Sequence, residues 1–395
     1  MLFFVVAASS QLQAASLNVI YNFSAAGNGG INCNAALVQG SDGNFYGVTA
    51  YGGNSNDGTV FKVTPAGVLT TLVSFNGTNG MWPVAALVQG SDGNFYGTTD
   101  GGGSSGYGTV FKVTPGGVLT TLASFTGANG EYCAAGLVQG SDGNFYGTVS
   151  QGGSANEGTV FKITPGGILT TLVSFTGANG AYPRAALVQG SDGNLYGTTN
   201  DGGSANDGTV FKITPGGVLT TLVSFTGANG VYPEAPLVQG SDGNFYGTTE
   251  ANYGTVFKMT PAGVLTTLVS FNYANGGFPR AAVVLANDGN FYGTTSGGGS
   301  GGDGILFELT PGGVLTVLAS FTGANGNSSQ AGLVQGSDGN FYGTTTSGGS
   351  SNNGVVFQLV IPLQPVPALP RWGVVALAMG LFIAFAAFLN RTAKN

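Results

Sequence analysis

Seven times along this chain an Asp-Gly-Asn turn is preceded, ten residues earlier, by one recurring position. That position holds Trp82, Tyr132, Tyr182, Tyr232 and Phe278 in five copies, with Asn32 and Ser328 in the other two. Two residues further on stand Asn34, Val84, Ala134, Arg184, Glu234, Arg280 and Gln330. Flat apolar rings suit stacking, and a few differing polar groups suit orientation, which is the chemistry of a sugar or peptide site. Trp82, Tyr132, Tyr182, Tyr232, Phe278, Arg184, Glu234 and Arg280 are therefore the candidate ligand-binding residues. The same set also reads as ring packing between neighbouring units with solvated charges.

Catalytic chemistry has less to work with. The chain contains no histidine, which removes the commonest general base and metal ligand. An enzyme would have to use Glu234 or Glu131 as acid or base, with Tyr232 and Arg184 nearby, and ordinary glycoside hydrolysis needs a second convergent carboxylate. No catalytic set, metal or cofactor is assigned. The recurring turn aspartates lack Asp-x-Asp ligand spacing and sit where a glycine-containing hairpin turn wants a local hydrogen-bond acceptor. Lys62, Lys112, Lys162, Lys212 and Lys258 share one strand position and read as solvated or snorkelling side chains. Gln39, Gln89, Gln139, Gln189, Gln239 and Gln335 read as partners of backbone groups. Cys33 and Cys133, at the place where four other copies have proline, are expected as free thiols.

What positions these residues is a repeat. The turns begin at Asp42, Asp92, Asp142, Asp192, Asp242, Asp288 and Asp338, a period of 50 residues with one interval of 46. Each unit holds a short apolar segment, the tight turn, an aromatic and β-branched segment, a Gly/Ser loop, a third strand, a Pro-containing turn and a fourth strand. Four antiparallel strands repeated seven times predict an all-β, seven-bladed β-propeller over residues 16–361. Ser16–Phe23 matches the last strand of a unit with no unit before it, and the seventh unit stops where that strand is due. The N-terminal strand is therefore expected to close the ring, leaving no open edge. The Asp-Gly-Asn and Pro turns fall on one face and vary little. Loops such as Asp100–Tyr107, Glu250–Tyr253 and Ser296–Asp303 fall on the other and vary freely, which makes that face the place for function.

The two ends read as an address. Residues 1–15 carry an apolar run and Ala14-Ala15-Ser16, as in a secretory signal without its basic start. Residues 362–371 form a Pro-rich linker. Residues 372–395 hold an uncharged run from Trp372 to Leu389, about 27 Å long as a helix, followed by Arg391 and Lys394. This predicts a transmembrane helix with its basic end cytoplasmic and the repeats outside. Only 7% of residues are charged, the net charge is −7 and no basic cluster occurs in the repeats, so nucleic acid is excluded as a partner.

The units, with Ser-Asp-Gly-Asn-Phe-Tyr-Gly-Thr-Thr, Gly-Thr-Val-Phe-Lys and Leu-Thr-Thr-Leu-Val-Ser-Phe, resemble the bacterial GloVer tandem repeat over nearly all of Ser16 to Leu359. The tail Val366-Pro367-Ala368-Leu369-Pro370-Arg371-Trp372-Gly373 resembles the PEP-CTERM and IPTL-CTERM class of sorting tails, while departing from the Pro-Glu-Pro and Ile-Pro-Thr-Leu forms. That resemblance implies export, retention at the envelope or surface, and an exosortase-like processing enzyme as a partner. The repeat resemblance implies no catalytic residues. The expectation is an exported, membrane-anchored, non-catalytic binding module for a polysaccharide, an envelope component or a protein. A structural spacer of the surface layer and a carbohydrate-active enzyme are the alternatives.

Overall fold

A computed structural model describes residues 15–24 and 30–362. The expected signal segment up to residue 14, the linker from residue 363 and the anchor at 372–395 lie outside the described residues. Among the described residues no helix is long and apolar enough to cross a membrane.

Residues 15–360 form one compact unit made of seven four-stranded antiparallel sheets. After β1 (Ser16–Asn22), the first blade is β2 (Val38–Gln39), β3 (Phe45–Thr49), β4 (Thr59–Val63) and β5 (Leu69–Ser74), hydrogen-bonded in that order. The innermost strand is only two residues long, shorter than the apolar segment in the sequence suggests, because the preceding residues turn away to line the axis. Blades two to six repeat this order. In the seventh, β1 pairs with Val355–Val360, in a register that runs from Ser16 opposite Val360 to Asn22 opposite Val355. The ring closes as expected.

Two aromatic series hold blade to blade. Tyr46 of β3 stacks on Phe95 of the next blade with centroids 3.9 Å apart, and its counterparts do the same around the ring. The exception is the third seam, where Tyr146 meets Leu195 in one apolar cluster. Farther out, Phe75 meets Phe111 edge-on at 5.2 Å, and the seam between β1 and the first blade has Phe23 on Phe61 at 5.5 Å. All five residues of β3 are buried, since each blade has a neighbour on both faces. A methyl group on Gly47 would lie 2.6 Å from the Phe61 ring, so glycine at mid-strand lets that ring lie across the sheet.

The Asp-Gly-Asn turn does more than turn. Asn44 donates its backbone N–H and its side-chain amide to Asp42, and the buried Tyr46 donates its hydroxyl to Asp42 Oδ2 at 2.9 Å. Burial pushes the Asp42 carboxyl up, but these hydrogen bonds outweigh it and hold the group below the usual carboxylate range. The glutamines lace neighbouring turns together. Gln89 accepts from the Ser41 N–H at 3.1 Å and donates to Gly93 O at 3.1 Å, and Gln39 accepts from Ser337 N across the closing seam at 2.9 Å. The lysines are half-buried beside these turns, and Lys258 pairs with Asp242 at 2.8 Å. Cys33 and Cys133 are free and fully buried, and burial pushes the Cys33 thiol up to about 12.

Candidate functional site

The segment entering each blade bends sharply just before it reaches the axis. Its aromatic position has left-handed backbone in every unit, with φ of +56° at Trp82, +58° at Tyr132, +52° at Tyr182, +56° at Tyr232 and +59° at Phe278. Bulky residues rarely adopt this conformation. Two backbone hydrogen bonds enforce it: Trp82 N donates to Asp57 O of the preceding blade at 2.8 Å, and Trp82 O accepts from Asp100 N of its own blade at 3.1 Å. The position is thus a bracket between adjacent blades.

Beyond the bend, Asn34, Val84, Ala134, Arg184, Arg280 and Gln330 line a cavity of roughly 190 Å³ on the axis. Its floor is made of small residues. A methyl group on Gly136 would lie 3.6 Å from Ala186 Cβ and 3.2 Å from Ala86 O, so the innermost residues of neighbouring blades nearly touch and narrow the axis.

Charge at this mouth is confined to a few blades. Arg184 Nη1 meets Glu234 Oε1 at 3.3 Å, and Arg280 donates through Nε and Nη2 to Glu250 Oε1. Glu234 and Glu250 lie close enough for each carboxyl to influence the other. The four groups therefore form one chain, Arg184–Glu234–Glu250–Arg280. Burial pushes the Glu234 carboxyl up, the neighbouring Glu250 adds to this, and the two arginines oppose it. Burial likewise raises the Asp100 carboxyl, against the pull of Arg184. Among the described residues, no hydrogen-bond partner reaches the buried side-chain oxygens Asn34 Oδ1 and Asn200 Oδ1.

Of the residues singled out from the sequence, Arg184, Glu234 and Arg280 come together at the mouth. The aromatics do not line the cavity. Trp82, Tyr132 and Tyr232 are 39–41% exposed on the surface around it, Tyr182 is half-buried, and Phe278 packs against Tyr253 with centroids 5.6 Å apart. Glu131 is not the carboxylate that meets Glu234. Its backbone pairs with Gln151 of its own blade, two blades from Glu234, and Glu250 of Glu234's blade takes the place beside Glu234. Asp100, Asn200 and Glu250 were missed as site residues, although they occupy one register, eight residues after each turn aspartate. Tabulating that register shows Ala50, Asp100, Ser150, Asn200, Glu250, Ser296 and Thr346, a second set of differing residues.

The fold is similar to that of a streptogramin B lyase, with a TM-score of 0.62 at 15% identity over 90% of this chain and 100% of the other. It is also similar to virginiamycin B lyase from Staphylococcus aureus, with a TM-score of 0.60 at 14% identity over 88% and 99%. A third neighbour is the extracellular domain of a hybrid two-component system from B. thetaiotaomicron, at 0.58 and 12% identity over 89% of this chain and 40% of that one. At these identities the likeness shows the propeller and nothing of the chemistry, and a catalytic role is left open. No curated protein matches the chain. The Gloeobacter/Verrucomicrobia repeat matches residues 7–190, 135–253 and 250–364. The protein is a seven-bladed β-propeller that belongs to the Gloeobacter/Verrucomicrobia repeat family.

Proposed function

We propose that this protein is an exported, membrane-anchored surface module that binds an acidic polysaccharide of the cell envelope at the axial mouth of its variable face, without catalysis. One observation carries the reading: in a nearly uniform ring, Arg184 and Arg280, the only arginines among the described residues, both line the axial cavity. Arg184 and Arg280 line it with side chains 54% and 41% exposed, whereas their partners Glu234 and Glu250 are 24% and 20% exposed. A ligand entering along the axis meets guanidinium groups first. Planar guanidinium donors suit carboxylates, and a hydrogen bond of this charged kind contributes about 1.5–3 kcal/mol.

The Glu234–Glu250 pair gives the enzyme alternative its strongest support, since paired carboxylates with one raised can act as acid and base. Against it, each of the two carboxylates is already held by an arginine, Glu234 by Arg184 and Glu250 by Arg280. Binding is the better account. A spacer role would leave the mouth without a ligand.

Titration of tetragalacturonate into the full chain tests the reading. Wild type binds, and Arg184→Gln and Arg280→Gln each weaken binding about tenfold, or 1.4 kcal/mol. Equal binding by the variants, or none by wild type, would contradict it. Protease treatment of intact cells tests the location: the propeller should be cleaved while cytoplasmic proteins are spared.

A further inference from the structure

The fifth blade is where the 46-residue interval falls. Its loop between second and third strands is Glu250–Gly254, five residues, where the second blade has nine from Asp100 to Gly108. The shortened loop is a tight turn in which Gly254 N donates to Ala251 O at 2.9 Å and both central residues, Asn252 and Tyr253, have left-handed φ of +54° and +68°. Such a turn prefers Asn-Gly, so tyrosine at its second central position is held against backbone preference.

The deletion removes hydrogen-bond donors as well as bulk. In the fourth blade the loop amide of Gly203 donates to Gly177 O at 2.8 Å, and in the third Ser154 N donates to Ser174 Oγ at 3.3 Å. The equivalent acceptors of the fifth blade are Gly227 O and Ser270 Oγ; the loop residues that would serve them are absent from the sequence, and Gly227 O keeps only the long bond from Gly230 N at 3.4 Å. Both residues line a cavity of roughly 210 Å³, together with Gly230, Asn252 and Thr255. Among the described residues, no charged side chain lines it.

On the other side of the same short loop lies an aromatic patch. The Tyr253 ring is 5.5 Å from Tyr273 and 5.6 Å from Phe278, and the two tyrosines are 44% and 42% exposed. Tyr273, at φ +69°, stands where Gly77, Gly127, Gly177, Gly227 and Gly323 occupy the other connections. Two exposed tyrosines thus occupy positions that glycine would fill with less strain, and they occupy them side by side.

We infer that this sector is a second binding site, separate from the axial mouth, for a neutral oligosaccharide. The tyrosine faces would stack on the C–H face of one sugar ring. The neighbouring cavity would hydrogen-bond the hydroxyls of the next unit through Asn252, Thr255, Ser270 and the Gly227 carbonyl. The uncharged lining disfavours an ionic ligand here, in contrast to the mouth.

The test is calorimetric titration of cellohexaose, laminarihexaose, xylohexaose and chitohexaose into the full chain and into Tyr253→Gly and Tyr273→Gly proteins. Glycine relieves the backbone at both positions, so both variants keep the fold, as circular dichroism would check. At least one hexasaccharide should bind wild type saturably and both variants at least tenfold more weakly. Failure of all four to bind, or wild-type affinity in both folded variants, overturns the inference. Loss of binding in Arg184→Gln with both tyrosine variants unaffected also overturns it, by assigning neutral sugar to the axial mouth.

Discussion

Tyr342 in the last blade lies 4.1 Å from Phe45 in the first, ring centroid to ring centroid, with the planes 33° apart. This is nearly the geometry of Tyr46 on Phe95 at an internal seam, 3.9 Å and 27°. The seam that joins the two ends of the repeat array is therefore built like the others, and β1 adds a full strand of backbone pairing to it.

That equivalence predicts matched energetics. Phe45→Ala and Phe95→Ala should each cost about 3–5 kcal/mol and agree within about 1 kcal/mol, as measured by urea unfolding of the two variants. A much smaller cost at Phe45 would mean that the closing seam is open in solution.

The buried tyrosines set an upper pH limit. Tyr96, Tyr196 and Tyr342 are pushed up to about 12, first by burial and then by donating to Asp92, Asp192 and Asp338. A folded value raised above the unfolded one, near 10, contributes stability that is complete below about pH 10 and lost as pH rises toward about 12. Melting temperature should fall across that window, with tyrosinate absorbance from the core appearing together with unfolding. Ionisation of all tyrosines near pH 10 in a folded protein would contradict the buried Tyr–Asp pairs.

At the mouth the sign runs against the native glutamate. Burial, and then Glu250, raises the folded value of Glu234 above the unfolded one. Its contribution to stability is present below the unfolded value of about 4.3 and is lost as pH rises through the folded value. Replacing Glu234 by Gln should therefore help more at pH 7 than at pH 4, set against loss of an exposed ion pair of about 0–1 kcal/mol. Melting curves of both proteins at the two pH values check this. A difference that is the same at both, or larger at pH 4, would contradict the raised Glu234 carboxyl.

The architecture was legible because the repeat states it seven times. The Asp-Gly-Asn turns, the unpaired strand at Ser16–Phe23 and the missing strand at the end of the last unit were all present as sequence. The site was legible only in part, for two physical reasons. Extended backbone would put residues 82 and 84 on the same side, but left-handed φ at Trp82 breaks the alternation, so Val84 lines the axis and Trp82 lies outside it. The carboxylate beside Glu234 comes from the end of the next-but-one segment, where Glu250 N reaches back to Tyr232 O at 3.2 Å. That contact depends on how the entering segment folds over its own blade, which strand periodicity alone does not reveal. The Gln series, in contrast, was read correctly as backbone-bonded, because a repeated polar residue on an inner strand has repeated backbone within reach.

The central claim is that the axial mouth recognises an anionic saccharide through Arg184 and Arg280. Equilibrium dialysis of tetragalacturonate against the full chain at low and high salt tests it most directly, because screening weakens charge recognition at a half-exposed site. The account predicts saturable one-to-one binding that weakens several-fold between about 0.01 and 0.1 M salt, as the Debye length falls from about 30 to 10 Å. No binding at low salt, or binding indifferent to salt, would contradict it.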